Sequence, residues 1–208
     1  MSERPVADTR GRQVEVTEAV LTRRSVTRLN DPAPSDDEMV ELVQAASTAP
    51  DHGSLRPWRL VTIRGEERRC LGEALGRSAG DPGKAERARL KPLRAPLLVS
   101  IVFRPRLDHS KVPEWEQLAA TASMVHTLHL LLHSRGWGSI WRTGNVDSPW
   151  VRDCVGVTAL ERLLGWLYVG TPSPDARIPP RQLFDVRTRV TSLSRASSTT
   201  ADSSGAAR

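Results

Sequence analysis

Residues 96–103 read PLLVSIVF, a nearly continuous apolar run with the length of a β-strand. Because no polar positions alternate with the apolar ones, this run predicts a strand that is buried on both faces. Three further segments are rich in β-branched and aromatic residues and predict strands around it: 58–64 (WRLVTIR), 139–143 (SIWRT) and 162–169 (RLLGWLYV). We expect the four segments to form a sheet.

Helical patterns alternate with these strands. Apolar residues near helical spacing predict a helix over residues 14–28, and Ser35 with Glu38 forms a capping box that opens a second helix ending before Pro50. Further helices are predicted at 66–79, 114–135 and 148–155, and residues 81–83 (DPG) are predicted as a loop. The longest helix carries one predicted apolar face: Trp115, Leu118, Ala119, Ala122, Val125, Leu128 and Leu132. The pattern indicates helices covering a sheet, and it leaves the strand directions open.

The two ends of the chain differ in composition from its middle. The length of 208 residues fits one domain, and we expect it to occupy residues 14–190. Residues 1–13 are polar, and residues 191–208 are rich in Ser, Thr and Ala, so both ends are predicted to be disordered. No apolar run approaches the 18 residues of a membrane span, and the N-terminus lacks the apolar region of a secretory signal. Two cysteines exclude a disulfide framework and a four-thiolate zinc site, so a cytoplasmic location is expected.

The net charge of +6 comes almost entirely from arginine, because only three of the 30 basic residues are lysine. Arginine binds phosphate and other flat anions through paired donors, so an anionic ligand is one interpretation. A coding habit of the source genome explains the same bias without a ligand, and it is the simpler interpretation.

Three segments carry residues suited to chemistry. Arg23, Arg24 and Ser25 offer many donors for a phosphate, but on these residues alone a solvated helix end is the favoured interpretation. Residues 49–58 (APDHGSLRPW) form a compact turn that would aim His52 and Arg56, or an ordinary connection. Residues 136–144 (GWGSIWRTG) combine glycines that permit close backbone approach with stacking tryptophans and an arginine, or form a turn with buried tryptophans.

Two other patterns have simpler explanations. His126, His129 and His133 share one face of the long helix, but no carboxylate or cysteine accompanies them and the spacing is not that of a zinc protease, so no metal site is predicted. Residues 84–94 (KAERARLKPLR) hold five basic residues and one acid. They are interpreted as a solvated helix face, since no aromatic residues interleave for stacking on nucleic-acid bases.

Five motifs occur together in one order along the chain: Arg-Arg-Ser at 23–25, Ala-Pro-Asp-His-x-Ser-x-x-Pro-Trp at 49–58, Pro-Glu-Trp-Glu-Gln at 113–117, Gly-x-Gly-Ser-Ile-Trp-Arg-Thr-Gly at 136–144 and Gly-Trp-Leu-Tyr-Val-Gly-Thr-Pro at 165–172. In combination they resemble the nitroreductase family of FMN flavoenzymes, in particular its small, compact bacterial branch. The resemblance implies an α+β fold, a three-layer α-β-α sandwich with a central, mostly antiparallel sheet. It also implies a homodimer with FMN at the subunit interface.

The resemblance also assigns roles to particular residues. Eight would bind FMN: Arg23, Arg24, Ser25, Thr48, His52, Trp141, Arg142 and Thr143. Of these, the first three would hold the phosphate and ribityl chain, Thr48 and His52 would reach the flavin from the partner subunit, and Arg142 would lie near the phosphate. Six more would lie near the nicotinamide nucleotide: Leu131, Leu132, His133, Ser134, Arg135 and Gly136.

The function that the resemblance implies is an NAD(P)H-dependent FMN oxidoreductase. Hydride would pass from NADH or NADPH to the flavin and then to a nitroaromatic, a quinone or a similar acceptor, by a ping-pong mechanism. No catalytic side chain is required, because the flavin carries the chemistry. The alternatives are a flavin-dependent oxidase or dehydrogenase of a specific metabolite, a non-enzymatic flavin-binding protein and, least favoured, a nucleic-acid binder.

Overall fold

A computed structural model describes residues 15–182 and 184–193 of the chain. The disorder predicted for residues 1–13, and most of that predicted for 191–208, falls outside the described residues. Two compact units are distinguished, with the boundary after Ile178. The first contains the sheet and its helices. The second contains a short 3₁₀-helix, Val186–Arg189, whose first turn is capped by the Asp185 carboxylate.

Five strands form one sheet, and every pairing between them is antiparallel. The strands are β1 (Leu29–Asn30), β2 (Trp58–Ile63), β3 (Leu97–Phe103), β4 (Gly138–Arg142) and β5 (Arg162–Pro172). The order is β1-β5-β3-β2, and β4 also pairs with β5. All seven residues of β3 are buried, which confirms the strand predicted from the run at 96–103.

The described residues include six α-helices around the sheet: α1 (Val16–Thr22), α2 (Asp36–Ala46), α3 (Glu67–Arg77), α4 (Pro82–Arg89), α5 (Glu114–Ser134) and α6 (Pro149–Val155). Their starts follow local sequence signals. The Ser35 hydroxyl accepts a hydrogen bond from the backbone N–H of Glu38 at 3.1 Å, as the capping box predicts. Pro149 occupies the first turn of α6 directly after Ser148.

The sheet has a hydrophobic core on each face, and this arrangement confirms the predicted three-layer α+β fold. One core joins α3, α4 and α6 to residues of the sheet such as Leu98 and Tyr168. The other joins α2 and α5 to the opposite side chains of the same strands, such as Val99 and Leu167. Consecutive residues of β3 and β5 thus point into different cores, as the period of a strand requires.

Three local predictions were wrong. Residues 81–83 are not a loop: Asp81 caps α4 by accepting from the Lys84 N–H at 2.8 Å, and Pro82 begins that helix. The first helix ends at Thr22, well before residue 28. The strand at 162–169 continues to Pro172, because Pro172 and Thr171 pair with the short strand β1, which sequence analysis did not predict.

The inward face of α5 also differs from the predicted one. Trp115, Leu118, Ala119 and Ala122 lie on the exposed side, and the indole of Trp115 is 69% exposed. The buried side carries Gln117, Ala120, Thr121, Met124, Val125, Leu128, His129 and Leu132. The apolar residues of α5 lie on several of its faces, so their spacing alone could not indicate which face packs against the core. Over the described part of the chain, no helix combines the length and the apolar character needed to cross a membrane.

Candidate active site

The segment with Arg23, Arg24 and Ser25 lies against the outer edge of β4. Helix α1 ends at Thr22, and the extended chain that follows forms a parallel bridge between Ser25 and Ser139. The N–H of Val26 donates to the carbonyl of Ser139 at 3.1 Å. Backbone pairing therefore fixes the place where the two arginines leave the helix.

A cavity of about 310 Å³ opens beside this segment. Both arginines line it together with His133, Ser134 and Gly138. The guanidinium of Arg24 donates from Nη1 to the carbonyls of Leu21 at 2.7 Å and of Arg23 at 3.0 Å, which holds it over the C-terminus of α1. Glu18 also lines this cavity. Two arginines in the lining of a cavity of this size suit a compact anion such as a phosphate.

A side chain at position 138, in the wall of this cavity, would crowd three neighbouring side chains. A Cβ atom there would lie 2.6 Å from Cδ2 of Leu29, 3.1 Å from Cγ of Pro172 and 3.3 Å from Cβ of Val26. Real side chains do not approach so closely, so any larger residue would displace these neighbours. The glycine keeps the backbone of β4 within reach of a ligand in the cavity.

Two histidines, His133 in the wall of the cavity and His129 outside its lining, are held in the neutral form. Nδ1 of His129 lies 2.6 Å from Oγ of Ser139, and burial, with the nearby charge of Arg23, lowers the pKa of His129 to about 4. Nε2 of His133 lies 2.8 Å from Oγ1 of Thr22, and burial likewise lowers its pKa. These contacts explain the histidine spacing on α5 by packing. Among the described residues, no group of three or more His, Cys, Asp or Glu side chains could hold a metal ion.

The six residues assigned to the nicotinamide nucleotide do not form one surface. His133, Ser134 and Gly136 line the cavity of the two arginines. The side chain of Leu132 is fully buried in the core, so only its backbone could contact a ligand, and Leu131 packs against the same core.

Arg135 points toward α2, where its Nη1 lies 3.2 Å from Glu41 and 3.7 Å from Glu38. The guanidinium of Arg135 is thus already ion-paired with two carboxylates of α2. Of the six residues assigned to the nicotinamide nucleotide, only His133, Ser134 and Gly136 therefore line the cavity.

Arg142 and Thr143 line a second cavity, of about 300 Å³, at the other end of β4. The guanidinium of Arg142 lies 5.8 Å from the centre of the Tyr168 ring, a cation–π contact that fixes its position. Trp141 donates from Nε1 to the carbonyl of Leu164 at 3.1 Å. The structure therefore does not bring Arg142 into the cavity of Arg23 and Arg24. Three residues of extended strand, about 10 Å, separate it from Ser139.

The backbone between the two cavities is open on one side. Strand β4 pairs with β5 along one edge, and on its other edge the only bridge within the described residues is the one at Ser139. The outward N–H and C=O groups from Ile140 to Arg142 therefore face no further strand. Free backbone groups of this kind can bind the heteroatoms of a flat ligand.

Thr48 and His52 lie in the connection between α2 and β2, and neither lines either cavity of β4. The Thr48 hydroxyl donates to the carbonyl of Ala45 at 2.8 Å. Nδ1 of His52 lies 2.8 Å from Oε2 of Glu116 on α5, which orients the exposed imidazole. Within this one chain, the two residues are separate from the groups at β4.

Asp51 shapes that connection, and sequence analysis missed its role. Its carboxylate accepts from the N–H groups of Leu55 at 3.2 Å and Arg56 at 2.7 Å. Ser54 and Arg56 have positive φ angles of 51° and 46°, a conformation that ordinary residues adopt only when surrounding bonds support it. An Asp ahead of a Gly-Ser pair is a signal for such a turn. Glu116 carried no comparable signal, because its partner is 64 positions away.

Sequence comparisons find relatives that cover most of this chain. The family model described as "Nitroreductase family" matches residues 20–171. YdjA of Escherichia coli K12, provisionally named an NAD(P)H nitroreductase, is 36% identical over 164 residues, which cover 76% of this chain and 89% of YdjA. A Haemophilus influenzae protein with the same provisional name is 29% identical over 180 residues, or 84% of this chain and 97% of that protein.

Solved structures show the same fold. A nitroreductase-like family protein from Bacillus cereus superimposes with a TM-score of 0.76 at 24% identity, covering 86% of this chain and 96% of that one. A nitroreductase with bound FMN from Bacteroides fragilis has a TM-score of 0.70 at 20% identity, covering 87% and 100%. The antiparallel sheet between two helical layers, the family model over most of the chain and the identity to YdjA lead to one conclusion: the chain belongs to the nitroreductase family.

Proposed function

We propose that this protein is an FMN-dependent NAD(P)H oxidoreductase that passes hydride from a nicotinamide nucleotide through the flavin to a nitroaromatic, a quinone or a similar acceptor. The observation that carries the proposal is the open edge of β4, which has a pair of arginines at one end and Arg142 at the other. The names of the relatives support it, since YdjA is provisionally named an NAD(P)H nitroreductase and the Bacteroides fragilis structure contains FMN.

The residues present fit FMN. The cofactor has a doubly charged phosphate and a flat ring, joined by a flexible chain of five carbons. Arg23 and Arg24 would hold the phosphate, because both line a compact cavity. Ser25, which follows them in the chain and bridges to Ser139, would assist them from beside that cavity. Trp141, Arg142 and Thr143 would lie at the ring, about 10 Å further along the strand. This assignment moves Arg142 from the phosphate end, where the resemblance suggested it, to the ring end.

When bound, FMN would supply the redox chemistry, by accepting two electrons as hydride and then delivering them to the acceptor. The backbone groups of β4 would orient the ring. The guanidinium of Arg142, kept in place by Tyr168, would provide a fixed positive charge that favours negative charge on a neighbouring group. No side chain has to act as a nucleophile. The neutral His129 and His133 leave the positive charge of the cavity to the arginines.

A homodimer is part of the proposal. The exposed side of α5 carries Trp115, Leu118, Ala119 and Ala122, an apolar strip along a helix that is otherwise packed into the core. Apolar strips of this kind are typical of surfaces that contact another protein. The strip begins close to Glu116, which orients His52. A second copy packed on it would allow Thr48 and His52 to reach a flavin bound at the β4 of the partner.

The proposal also places the protein in the cytoplasm. Both of its cysteines, Cys70 and Cys154, are free thiols, as expected in a reducing compartment.

The absorption spectrum of the purified protein, followed by anaerobic titration with NADH and NADPH, tests the proposal. We expect a yellow protein, or one that becomes yellow with added FMN, whose flavin bands bleach on addition of reduced nicotinamide nucleotide. Double-reciprocal plots of the initial rate against the concentration of NADH or NADPH, each at a fixed acceptor concentration, should be parallel lines. A colourless protein that does not take up FMN contradicts the proposal, and a flavoprotein that neither nucleotide reduces would instead be an oxidase, a dehydrogenase or a flavin-binding protein.

A further inference from the structure

A row of basic side chains leads away from the ring end of β4. Lys84, Arg87, Lys91 and Arg94 follow one another at intervals of three, four and three residues across α4 and the 3₁₀-helix Lys91–Arg94. Such intervals place all four on one side of a nearly continuous helical segment. At 1.5 Å per residue, the row is about 15 Å long.

The row and Arg142 line two neighbouring cavities. Lys91 and Arg94 line the second cavity of β4 together with Arg142, and all four residues of the row line the next one, of about 480 Å³. The two cavities therefore share a wall. We call this continuous surface, formed by Lys84, Arg87, Lys91, Arg94 and Arg142, the basic groove.

The positive charge of the basic groove is not compensated nearby. None of the described Asp and Glu residues lines either of its cavities. Within the described ranges, no carboxylate forms an ion pair with any of its five cations. The contrast with Arg89 on the same helix is informative, since that guanidinium contacts Glu73 at 3.0 Å and Glu86 at 3.3 Å. Five like charges along low-dielectric walls create a field that attracts an anion.

A buried donor lies beside the groove. Trp166 lines the second cavity, its side chain is only 3% exposed, and its Nε1–H has no hydrogen-bond acceptor among the residues described. Its Nε1 atom is enclosed, but the Trp166 side chain forms part of the cavity wall, so the indole can report a ligand that enters the cavity.

We propose that the basic groove binds the phosphate groups of the nicotinamide nucleotide that reduces the flavin. The inference rests on the proposed function. A single phosphate would occupy only part of a 15 Å row, whereas the diphosphate and the ribose phosphate of NADPH are separate anionic groups within one molecule. The cavity of Arg23 and Arg24 is not available for them, because the phosphate of FMN occupies it in the proposed arrangement.

This assignment differs from the one that places the nucleotide at residues 131–136. That segment has one cation, Arg135, and two carboxylates of α2 hold its guanidinium. The basic groove instead begins at Arg142 and Thr143, beside the proposed ring position, so a nicotinamide stacked there would have its phosphates directed along the row.

The first test compares reductants that differ in charge. The double variant Arg87→Gln/Lys91→Gln removes two cations, and Arg69→Gln/Lys111→Gln removes two exposed cations that line neither cavity. We expect the groove variant to raise the KM for NADPH about tenfold and the KM for NADH less. Flavin content and the rate with 1-benzyl-1,4-dihydronicotinamide, which carries no phosphate, should stay at the wild-type values, as should all values for the control variant.

Two outcomes overturn the inference. One is an equal effect of the groove variant on NADPH and on the uncharged reductant. The other is an unchanged KM for NADPH in the groove variant, with a raised KM in Arg135→Gln. The second outcome would assign the nucleotide to the end of α5.

The second test does not depend on flavin or on turnover. Sodium pyrophosphate is titrated into ¹⁵N-labelled protein while the indole N–H signals are followed, with Trp166→Phe identifying the signal of interest. We expect that signal to shift in the wild type and in Arg69→Gln/Lys111→Gln, but not in Arg87→Gln/Lys91→Gln. A protein that binds no FMN but shows this pattern would refute the proposed function and leave a phosphate site. Absence of the shift, or an equal shift in all variants, would refute the groove.

Discussion

Replacement of Arg24 by glutamine should weaken the binding of FMN far more than the binding of riboflavin. The guanidinium of Arg24 lies at the cavity beside α1 and already makes two backbone hydrogen bonds, so it is oriented before a ligand arrives. A hydrogen bond to a charged group contributes roughly 1.5–3 kcal/mol. Loss of that contact to the phosphate corresponds to roughly a 10- to 150-fold higher Kd for FMN.

The same substitution removes a cap from α1. Loss of the bonds to Leu21 and Arg23 should cost about 1 kcal/mol in the free energy of unfolding, which lowers the Tm by about 2–4 °C for a domain of this size. This smaller effect has to be separated from the ligand effect. Riboflavin achieves that, because it has the ring and the ribityl chain of FMN but no phosphate.

The assay is quenching of flavin fluorescence on titration into protein stripped of cofactor. Arg69→Gln is the matched control, since the Arg69 side chain is 66% exposed and its one ion pair with a described residue is to Glu66, just before α3. Arg68 would be a poor control, because its Nη1 donates to the carbonyl of Ala95 at 2.7 Å. If Arg24→Gln weakens riboflavin as much as FMN, or if it matches Arg69→Gln, the phosphate assignment is wrong.

Four further variants address stability and assembly. Glu161→Gln should lower the Tm at pH 7, because Arg59 on β2 donates to both oxygens of the buried Glu161 carboxylate, at 2.8 and 2.9 Å. The bonds from Arg59 lower the pKa of Glu161 to about 2, so its contribution to stability should be lost as the pH falls from about 4.5 to 2, and the variant should lack that dependence. The buried His129 imidazole stays neutral down to about pH 4, whereas the same histidine in the unfolded chain binds a proton below about pH 6.5, so the wild type should lose stability between these pH values. His129→Asn should remove this loss. If plots of Tm against pH have the same slope in wild type and variant, the histidine is not responsible. Gly138→Ala should destabilise the protein by about 1–3 kcal/mol through overpacking and reduce its flavin content. Gly80→Ala is the control, because no atom lies within 4 Å of the new methyl group. Urea unfolding and flavin content should both be close to the wild-type values in this control. Ala122→Arg should convert the proposed dimer to monomers in sedimentation experiments, and a variant that remains dimeric would place the interface elsewhere.

Elements defined by a continuous run of one residue class could be predicted closely. The run at 96–103 is apolar throughout, and it forms the strand Leu97–Phe103 with every residue buried. The helix predicted at 114–135 spans Glu114–Ser134. In both cases a long regular pattern outweighs local ambiguity, because many residues favour the same backbone conformation.

Elements that depend on a distant partner could not be predicted. Leu29 and Asn30 form a strand only because Thr171 and Pro172 lie beside them, some 140 residues later in the chain. The inward face of α5 was also undetermined, since that helix is apolar on several sides and its packing against α2 and the sheet selects one of them.

The same distinction between local patterns and distant contacts applies to the candidate site. The chemistry of its residues is legible in the sequence: guanidinium groups for an anion, glycines for close backbone approach and a family pattern that names FMN. Which of these residues lie together in one cavity could not be predicted from the sequence, because it depends on where strand β4 lies. That strand places Arg23 and Arg24 in one cavity and Arg142 in another, and it joins Arg142 to basic residues that sequence analysis interpreted only as a solvated helix face.

By itself, then, the sequence determined that helices cover a sheet. It also determined the long helix, the strands with continuous apolar runs and the kinds of groups that a ligand would meet. These features follow from interactions within a few residues or from the residue types themselves. Only the tertiary structure decided the antiparallel order of the sheet, the exposed strip of α5, the turn held by Asp51 and the grouping of cations at β4. Each of these depends on contacts between residues far apart in the chain, whose positions are fixed only when both cores pack against the sheet at once.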